Sequence, residues 1–189
     1  MMKNLVVRFV KQPAVLLAAC LICSCTPGVD MPKGTSKGYT SARLIQRDPQ
    51  AQPVTDATEQ QAHRMIQNSL SRQFFAKGLA YGRTGADLVV AYMVIYQEPG
   101  MTATYDDYFG YGRNPEEIAA VAHNRGAVDS GRPDFFRQAG IVVDVIDGKT
   151  NKLVYRGFAK GDVIKGVSPG TRTARIDAAV TQALAGFFR

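Results

Sequence analysis

The sequence predicts an α+β fold, an antiparallel β-sheet with two α-helices packed on one face. Segments with the two-residue alternation of a β-strand follow one another with short turns between them, which is typical of antiparallel pairing. Two other segments repeat apolar residues every three or four positions, so each predicts a helix with one face to bury against the sheet. The chain has 189 residues, 46% of them hydrophobic. We expect a single domain from residue 39 to residue 189.

The first predicted strand, Tyr39–Gln46, is followed by a helix. Asp56 and Glu59 have the spacing of a capping box, in which the two side chains satisfy free backbone donors of the first turn. Gly78 stands where a helix ends in a left-handed residue. The apolar face of the helix consists of Ala62, Met65, Ile66, Leu70 and Phe74. His63 is one position from this face, and we expect it to be solvated or half-buried.

The clearest strand is Ala86–Gln97, which is apolar on both faces and is therefore expected to be covered on both sides, at least in part. We expect Met101–Tyr108 to pair with it as a hairpin.

A second hairpin is predicted from Phe136–Ile146 and Leu153–Ile164, because Asp147-Gly148 between two apolar segments favours a tight turn. The closing helix is predicted at Arg172–Phe188. Its apolar stripe is expected to pack on the sheet.

The amino-terminal segment has the features of a signal peptide. Lys3, Arg8 and Lys11 precede the apolar stretch Pro13–Ile22, which is too short for a stable membrane span. We expect residues 1–24 to be removed on export. Residues 25–38, rich in Gly, Pro, Ser and Thr, are predicted to form a flexible tether.

The three cysteines of the chain lie close together at the end of this segment. Ile22-Cys23-Ser24-Cys25 resembles the bacterial lipobox, which predicts Cys25 as the lipid-bearing first residue of the mature protein. Leu17-Ala18-Ala19-Cys20 is a second match and makes Cys20 the alternative. An ordinary secreted protein with chance cysteines is a third interpretation.

The resemblance to the lipobox has implications for location. It implies several acyl chains, palmitate among them, on one cysteine. A residue other than Asp after the lipidated cysteine implies delivery to the outer membrane, and Thr26 fits that rule. We therefore expect a lipid-anchored protein that faces the periplasm.

Several segments resemble a family of bacterial lipoproteins known as domain of unknown function 4136. Gly78-Leu79 followed by Ala86–Tyr92 is similar to the end of the family's helix and its strand motif. Gly140–Asp147 and Lys152–Ala159 resemble its hairpin, and Ile176–Phe188 resembles its last helix. The resemblance extends over most of the region from 39 to 189. It implies the α+β fold and no catalytic residues.

This chain departs from the family pattern in two places. Tyr155 stands where the family often has Trp, and residues 109–134 match poorly.

Charge and motifs argue against several classes of function. The net charge is +7, but the cations are scattered and form no basic stripe with interleaved aromatics, so we expect no nucleic-acid binding. His63 and His123 lack the spacing of a zinc site, and no EF-hand or nucleophile motif is present. We expect no metal and no cofactor, and we assign no catalytic residue.

One glycine-rich aromatic segment is a candidate binding surface for a glycan or an envelope protein. Glycines allow close approach, and tyrosines add amphipathic contact area. Its residues are Tyr105, Tyr108, Phe109 and Tyr111. The structural alternative is a twisted hairpin whose tyrosines lean on the sheet.

The function expected from these observations is that of a cell-envelope lipoprotein with a non-catalytic binding or envelope-assembly domain, anchored to the membrane by its lipid. The sequence alone does not decide whether the domain also catalyses a reaction. The alternative is a periplasm-facing hydrolase acting on cell-wall or lipid material, whose acid–base candidates are Asp106, Asp107, Glu116 and His123.

Overall fold

The computed structural model describes residues 32–46, 49, 53–98, 101–104, 138–162, 164 and 166–189. The α+β class is confirmed. The strands form one six-stranded sheet in the order β2-β1-β3-β5-β6, and β4 also pairs with β3. In chain order the elements are β1 (Ser41–Leu44), α1 (Ala57–Ala76), β2 (Ala80–Tyr81), β3 (Leu88–Glu98), β4 (Met101–Thr104), β5 (Gln138–Asp147), β6 (Leu153–Asp162) and α2 (Pro169–Leu184).

The sheet is mixed, so the prediction of a purely antiparallel sheet was wrong. β3 pairs antiparallel with β4 and β5, and β5 with β6. β1, however, runs parallel to both β2 and β3. The reason is the helix after β1: α1 carries the chain back along the sheet, so the next strand enters in the direction of β1.

Both helices pack on one face of the sheet, as predicted. The core on this face joins Leu70 of α1 and Leu184 of α2 to Val90 and Tyr92 of β3 and Val143 of β5. The opposite face of β3 is buried as well, since Val89, Ala91, Met93 and Ile95 are all at most 4% exposed. The expectation that this strand is covered on both sides is therefore confirmed.

The ends of α1 agree with the signals in the sequence. The Asp56 carboxylate accepts a hydrogen bond from the Glu59 amide at 2.8 Å, and Gly78 has a φ of +81°. α2 begins three residues earlier than predicted. Ser168 caps it by accepting from the Thr171 amide at 3.2 Å, and Pro169 occupies the first helical position, where its missing N–H costs nothing.

The segment before β1 contacts the outer edge of the sheet. The Gly34 amide donates to the Val154 carbonyl at 2.9 Å, and the Arg156 amide donates to the Pro32 carbonyl at 3.2 Å. The Ser36 amide donates to the Phe187 carbonyl at 2.9 Å. Part of the region that the sequence assigns to the tether therefore lies against β6 and the end of α2.

Asp87 joins the start of β3 to β1. One of its carboxylate oxygens accepts from the Thr40 amide at 3.0 Å, the Thr40 hydroxyl at 2.8 Å and the Ser41 hydroxyl at 3.1 Å. These bonds, the Thr40 amide first, lower the pKa of Asp87 to about 2 because they stabilise its charged form.

The pKa of Asp87 predicts a contribution to acid stability. An unfolded Asp has a pKa of about 3.9, so the charged carboxylate stabilises the fold above about pH 4, and this contribution is lost as the pH falls towards about 2. We expect Asp87→Asn to be less stable than the wild type at pH 7 and to lose less stability between about pH 4 and pH 2. Urea unfolding at a series of pH values measures both effects. Parallel stability curves for the two proteins would show that Asp87 does not make this contribution.

Candidate ligand-binding cavity

A cavity of about 700 Å³ lies between the two helices and one end of the sheet. This volume is within the range of small-molecule sites, about 300–1,000 Å³. The end of the sheet is formed there by Val94 of β3, Ala139 and Gly140 of β5, and Lys160 and Gly161 of β6. The first half of α1 and the middle of α2 form the side walls.

The floor of the cavity is apolar because the helices and the sheet direct their core faces towards it. Ile66 of α1, Ile141 of β5 and Ala159 of β6 line it, and all three are buried. Ile176 and Ala179 of α2 complete this surface. The small side chains of Ala159 and Ala179 leave space between α2 and the sheet.

A histidine in the α1 wall makes a polar contact with a buried tyrosine of β3 behind it. His63 Nδ1 lies 2.8 Å from the Tyr92 hydroxyl, and the Gln67 side-chain amide donates to the same hydroxyl at 3.0 Å. His63 Nε2 lies 3.7 Å from the Glu59 carboxylate, one helical turn earlier. The His63–Tyr92 distance is that of a hydrogen bond, whereas 3.7 Å is too long for one between His63 and Glu59.

His63 is 5% exposed, so the expectation that it is solvated or half-buried was wrong. It lies three residues before Ile66 and seven before Leu70, on the side of α1 that faces the sheet. The spacing of His63 from these two apolar residues therefore indicates a buried position. Tyr92 of the central strand supplies the polar partner that a buried histidine requires.

Cations on elements other than α1 also line the cavity. Lys160 at the end of β6 and Arg172 and Arg175 in the first half of α2 line the cavity. Arg172 donates one hydrogen bond to the Gln61 side chain of α1 at 3.3 Å. The carboxylates that line the cavity, Asp56 and Glu59, belong to α1 and its cap. The opening therefore has an acidic side on α1 and a basic side on β6 and α2.

A second polar cluster lies on the other face of the sheet. The Arg156 guanidinium binds the Asp144 carboxylate through Nε at 2.6 Å and Nη2 at 2.5 Å. The two residues are direct neighbours on β6 and β5, and they are at most 3% exposed. Both belong to the hairpin segments that carry the family resemblance. This ion pair joins two strands and does not line the cavity.

The site residues predicted from the sequence lie outside the described residues. They comprise the lipidation candidates Cys25 and Cys20, and the aromatic binding surface Tyr105, Tyr108, Phe109 and Tyr111. The acid–base candidates Asp106, Asp107, Glu116 and His123 also fall outside. Sequence reasoning missed the cavity, whose lining comes from five separate elements.

The described residues offer neither a metal-binding group nor a membrane-spanning helix. Within those ranges, no group of three or more His, Cys, Asp or Glu side chains comes together in a way that could hold a metal ion. Neither of the two described helices combines the length and the apolarity that crossing a bilayer requires.

Comparison with known proteins finds a family and several distantly similar structures. A family model described as "Domain of unknown function (DUF4136)" matches residues 38–187. No curated protein matches the chain. A PDZ domain protein from Parabacteroides distasonis is similar with a TM-score of 0.40 and 8% identity, over 76% of this chain and 31% of that one. The chain thus spans less than a third of that protein's length.

The second structure is a dodecamer of a PelC variant from Paraburkholderia phytofirmans. It is similar with a TM-score of 0.38 and 11% identity, over 84% of this chain and 90% of that one.

Proposed function

Since the chain belongs to the DUF4136 family, we propose that it is a cell-envelope lipoprotein whose folded domain binds a ligand without catalysing a reaction. The cavity between the two helices is the observation that carries this proposal. It has an apolar floor and a few polar groups at its opening, which is the composition of ligand sites in general. The lipobox-like segment ending at Cys25 supports anchoring in the outer membrane.

Substitutions at two distant sites test the two parts of this proposal. Cys25→Ala removes the acylated sulfur, and we expect the protein to move from the membrane fraction to the soluble periplasmic fraction. Ala179→Phe places a ring in the cavity. We expect it to leave membrane association unchanged and to remove any small molecule that co-purifies with the wild type, as measured by mass spectrometry of the extracted protein.

Ala174→Phe is the matched control for the cavity, because Ala174 is an exposed residue of the same helix and does not line the cavity. It should keep the co-purifying molecule. Release of the molecule by both phenylalanine variants, or by neither, would show that the cavity is not the binding site. Membrane retention of Cys25→Ala would point to Cys20 or to an unlipidated protein.

A hydrolase is the second candidate, and the presence of His63 and Glu59 in the cavity wall favours it. In such an enzyme His63 would act as the general base, and Glu59 would stabilise its protonated form. The measurement that separates the two functions is turnover of ester and cell-wall substrates by the wild type and by His63→Gln. Turnover that His63→Gln abolishes without loss of folding would replace the binding proposal with the enzymatic one.

A further inference from the structure

The charges around the cavity opening are distributed unevenly, and this indicates what the cavity binds. On α1, Asp56 is engaged in capping the helix and Glu59 lies beside His63. Lys160, Arg172 and Arg175 belong to β6 and α2 and line the same opening. A guanidinium has five N–H donors in a fixed fork, so Arg172 keeps donors for a ligand beyond its bond to Gln61. A negative group would therefore be held on the β6 and α2 side.

The interior of the cavity suits a different chemistry. Below the cations, the lining is formed by Ile66, Ile141, Ala159, Ile176 and Ala179. An alkyl chain in contact with these side chains would bury apolar surface without leaving a polar group unpaired. Together, the basic rim and the apolar floor are complementary to a molecule with one anionic end and one hydrocarbon end.

The path of the chain supplies an independent argument for a ligand from the membrane. Residues 32–34 run antiparallel to Val154–Arg156 of β6, the strand whose residues Lys160 and Gly161 line the cavity. Cys25 is seven positions before Pro32. An extended chain covers at most about 3.5 Å per residue, so an anchor at Cys25 would keep Pro32, which is bonded to β6, within about 25 Å of the bilayer.

We infer that the cavity binds a single-chain anionic amphiphile, with the acyl chain on the apolar floor and the anionic group against Arg172, Arg175 and Lys160. This inference rests on the proposed function, because it names the ligand class of the same cavity. A free long-chain carboxylate and a monoacyl phospholipid share this chemistry.

The test uses the protein as cells export and process it, held in phosphatidylcholine nanodiscs, with dansyl-labelled undecanoic acid as the fluorescent probe. Competition by carboxylates from octanoate to hexadecanoate should become about fourfold stronger per added methylene until the cavity is full. Hexadecanoate should compete at least about tenfold better than its methyl ester or than hexadecylamine. The uncharged ester cannot form charge-assisted hydrogen bonds with the cations, and the ammonium group of the amine is repelled by them. Empty nanodiscs correct for partition of the probe into the bilayer.

Variants separate the head-group claim from the cavity claim. The double substitution Arg172→Gln and Arg175→Gln should reduce the preference for the carboxylate to about twofold while the chain-length dependence remains. Arg64→Gln removes one charge from an exposed position that does not line the cavity, and it should bind like the wild type. Ala179→Phe should abolish specific competition by every compound.

The outcomes distinguish the anionic-ligand claim from the cavity claim. Chain-length dependence without a preference for the carboxylate would overturn the anionic ligand and leave the binding function standing. Competition that Ala179→Phe does not change would overturn both. Mass spectrometry of lipid extracted from the wild type separates the two sources: a free carboxylate or a monoacyl phospholipid supports the inference, and a neutral lipid or a glycan overturns it.

Discussion

Replacing Arg156 by methionine is expected to lower the free energy of unfolding by about 3–5 kcal/mol, because it removes the guanidinium that the buried Asp144 carboxylate binds through two hydrogen bonds. The guanidinium and the carboxylate form two short hydrogen bonds between neighbouring strands, and neither residue is more than 3% exposed. A buried charge that loses its partner must either stay desolvated or take up a proton, and both are costly. Urea unfolding at pH 7 measures the loss.

Replacing both members of the pair tests the physical cause. The double variant Asp144→Leu and Arg156→Met has no buried charge at this position, and apolar side chains of similar volume commonly replace such pairs at little or no cost. We therefore expect it to recover most of the stability that Arg156→Met loses. A double variant as unstable as the single one would show that the ion pair is not the source of the loss.

Arg72 provides the matched control for this pair. It binds Asp177 at 2.9 Å, but the two side chains are 54% and 39% exposed. Water screens such a surface pair, so Arg72→Met should lower the unfolding free energy by less than about 1 kcal/mol.

Gly157→Ala is expected to be the most damaging small substitution in β6. A Cβ at this position would lie 1.8 Å from the Ala183 carbonyl oxygen and 2.8 Å from the Tyr155 hydroxyl. The Ala183 oxygen belongs to the backbone of α2 and accepts a hydrogen bond from Tyr155 at 2.7 Å. It therefore cannot move aside like a flexible side chain. The helix must shift away from the sheet, and we expect a cost of about 3 kcal/mol, at the upper end of the range for overpacked cores.

Gly161→Ala is the control for Gly157, because it lies on the same strand and a Cβ there would meet nothing within 4 Å. It should change stability by less than about 0.5 kcal/mol. Thermal unfolding of the two variants compares the positions directly. Equal losses would indicate that alanine disturbs the strand in general and that the approach of α2 is not the cause.

The parts of the fold that could be predicted from the sequence are those specified by local signals. Asp56 and Gly78 define the ends of α1 because a cap and a left-handed glycine act within one turn of the helix. Asp147 predicts the β5–β6 hairpin in the same way, since its carboxylate accepts from the Lys149 and Thr150 amides of the turn. The early start of α2 at Ser168 was missed because the prediction followed the apolar stripe rather than the cap.

The parts that could not be predicted depend on contacts between distant residues. β1 pairs with β3 through Ala42 and Leu88, and nothing near either residue specifies a parallel partner. The contact between His63 and Tyr92 spans 29 positions. The cavity itself is the space that remains after five elements have packed, so no single segment contains a signal for it.

The hydrogen bonds before β1 have a mechanical consequence for a protein held by its amino terminus. Tension on the chain ahead of Pro32 first reaches the bonds of Pro32 and Gly34 to β6, and then the bond of Ser36 to Phe187. The first two bonds lie side by side along one strand, so a pull in the direction of β6 loads them in shear, and they must break together. The edge strand β6 therefore carries the load before it reaches Phe187 and the core behind it.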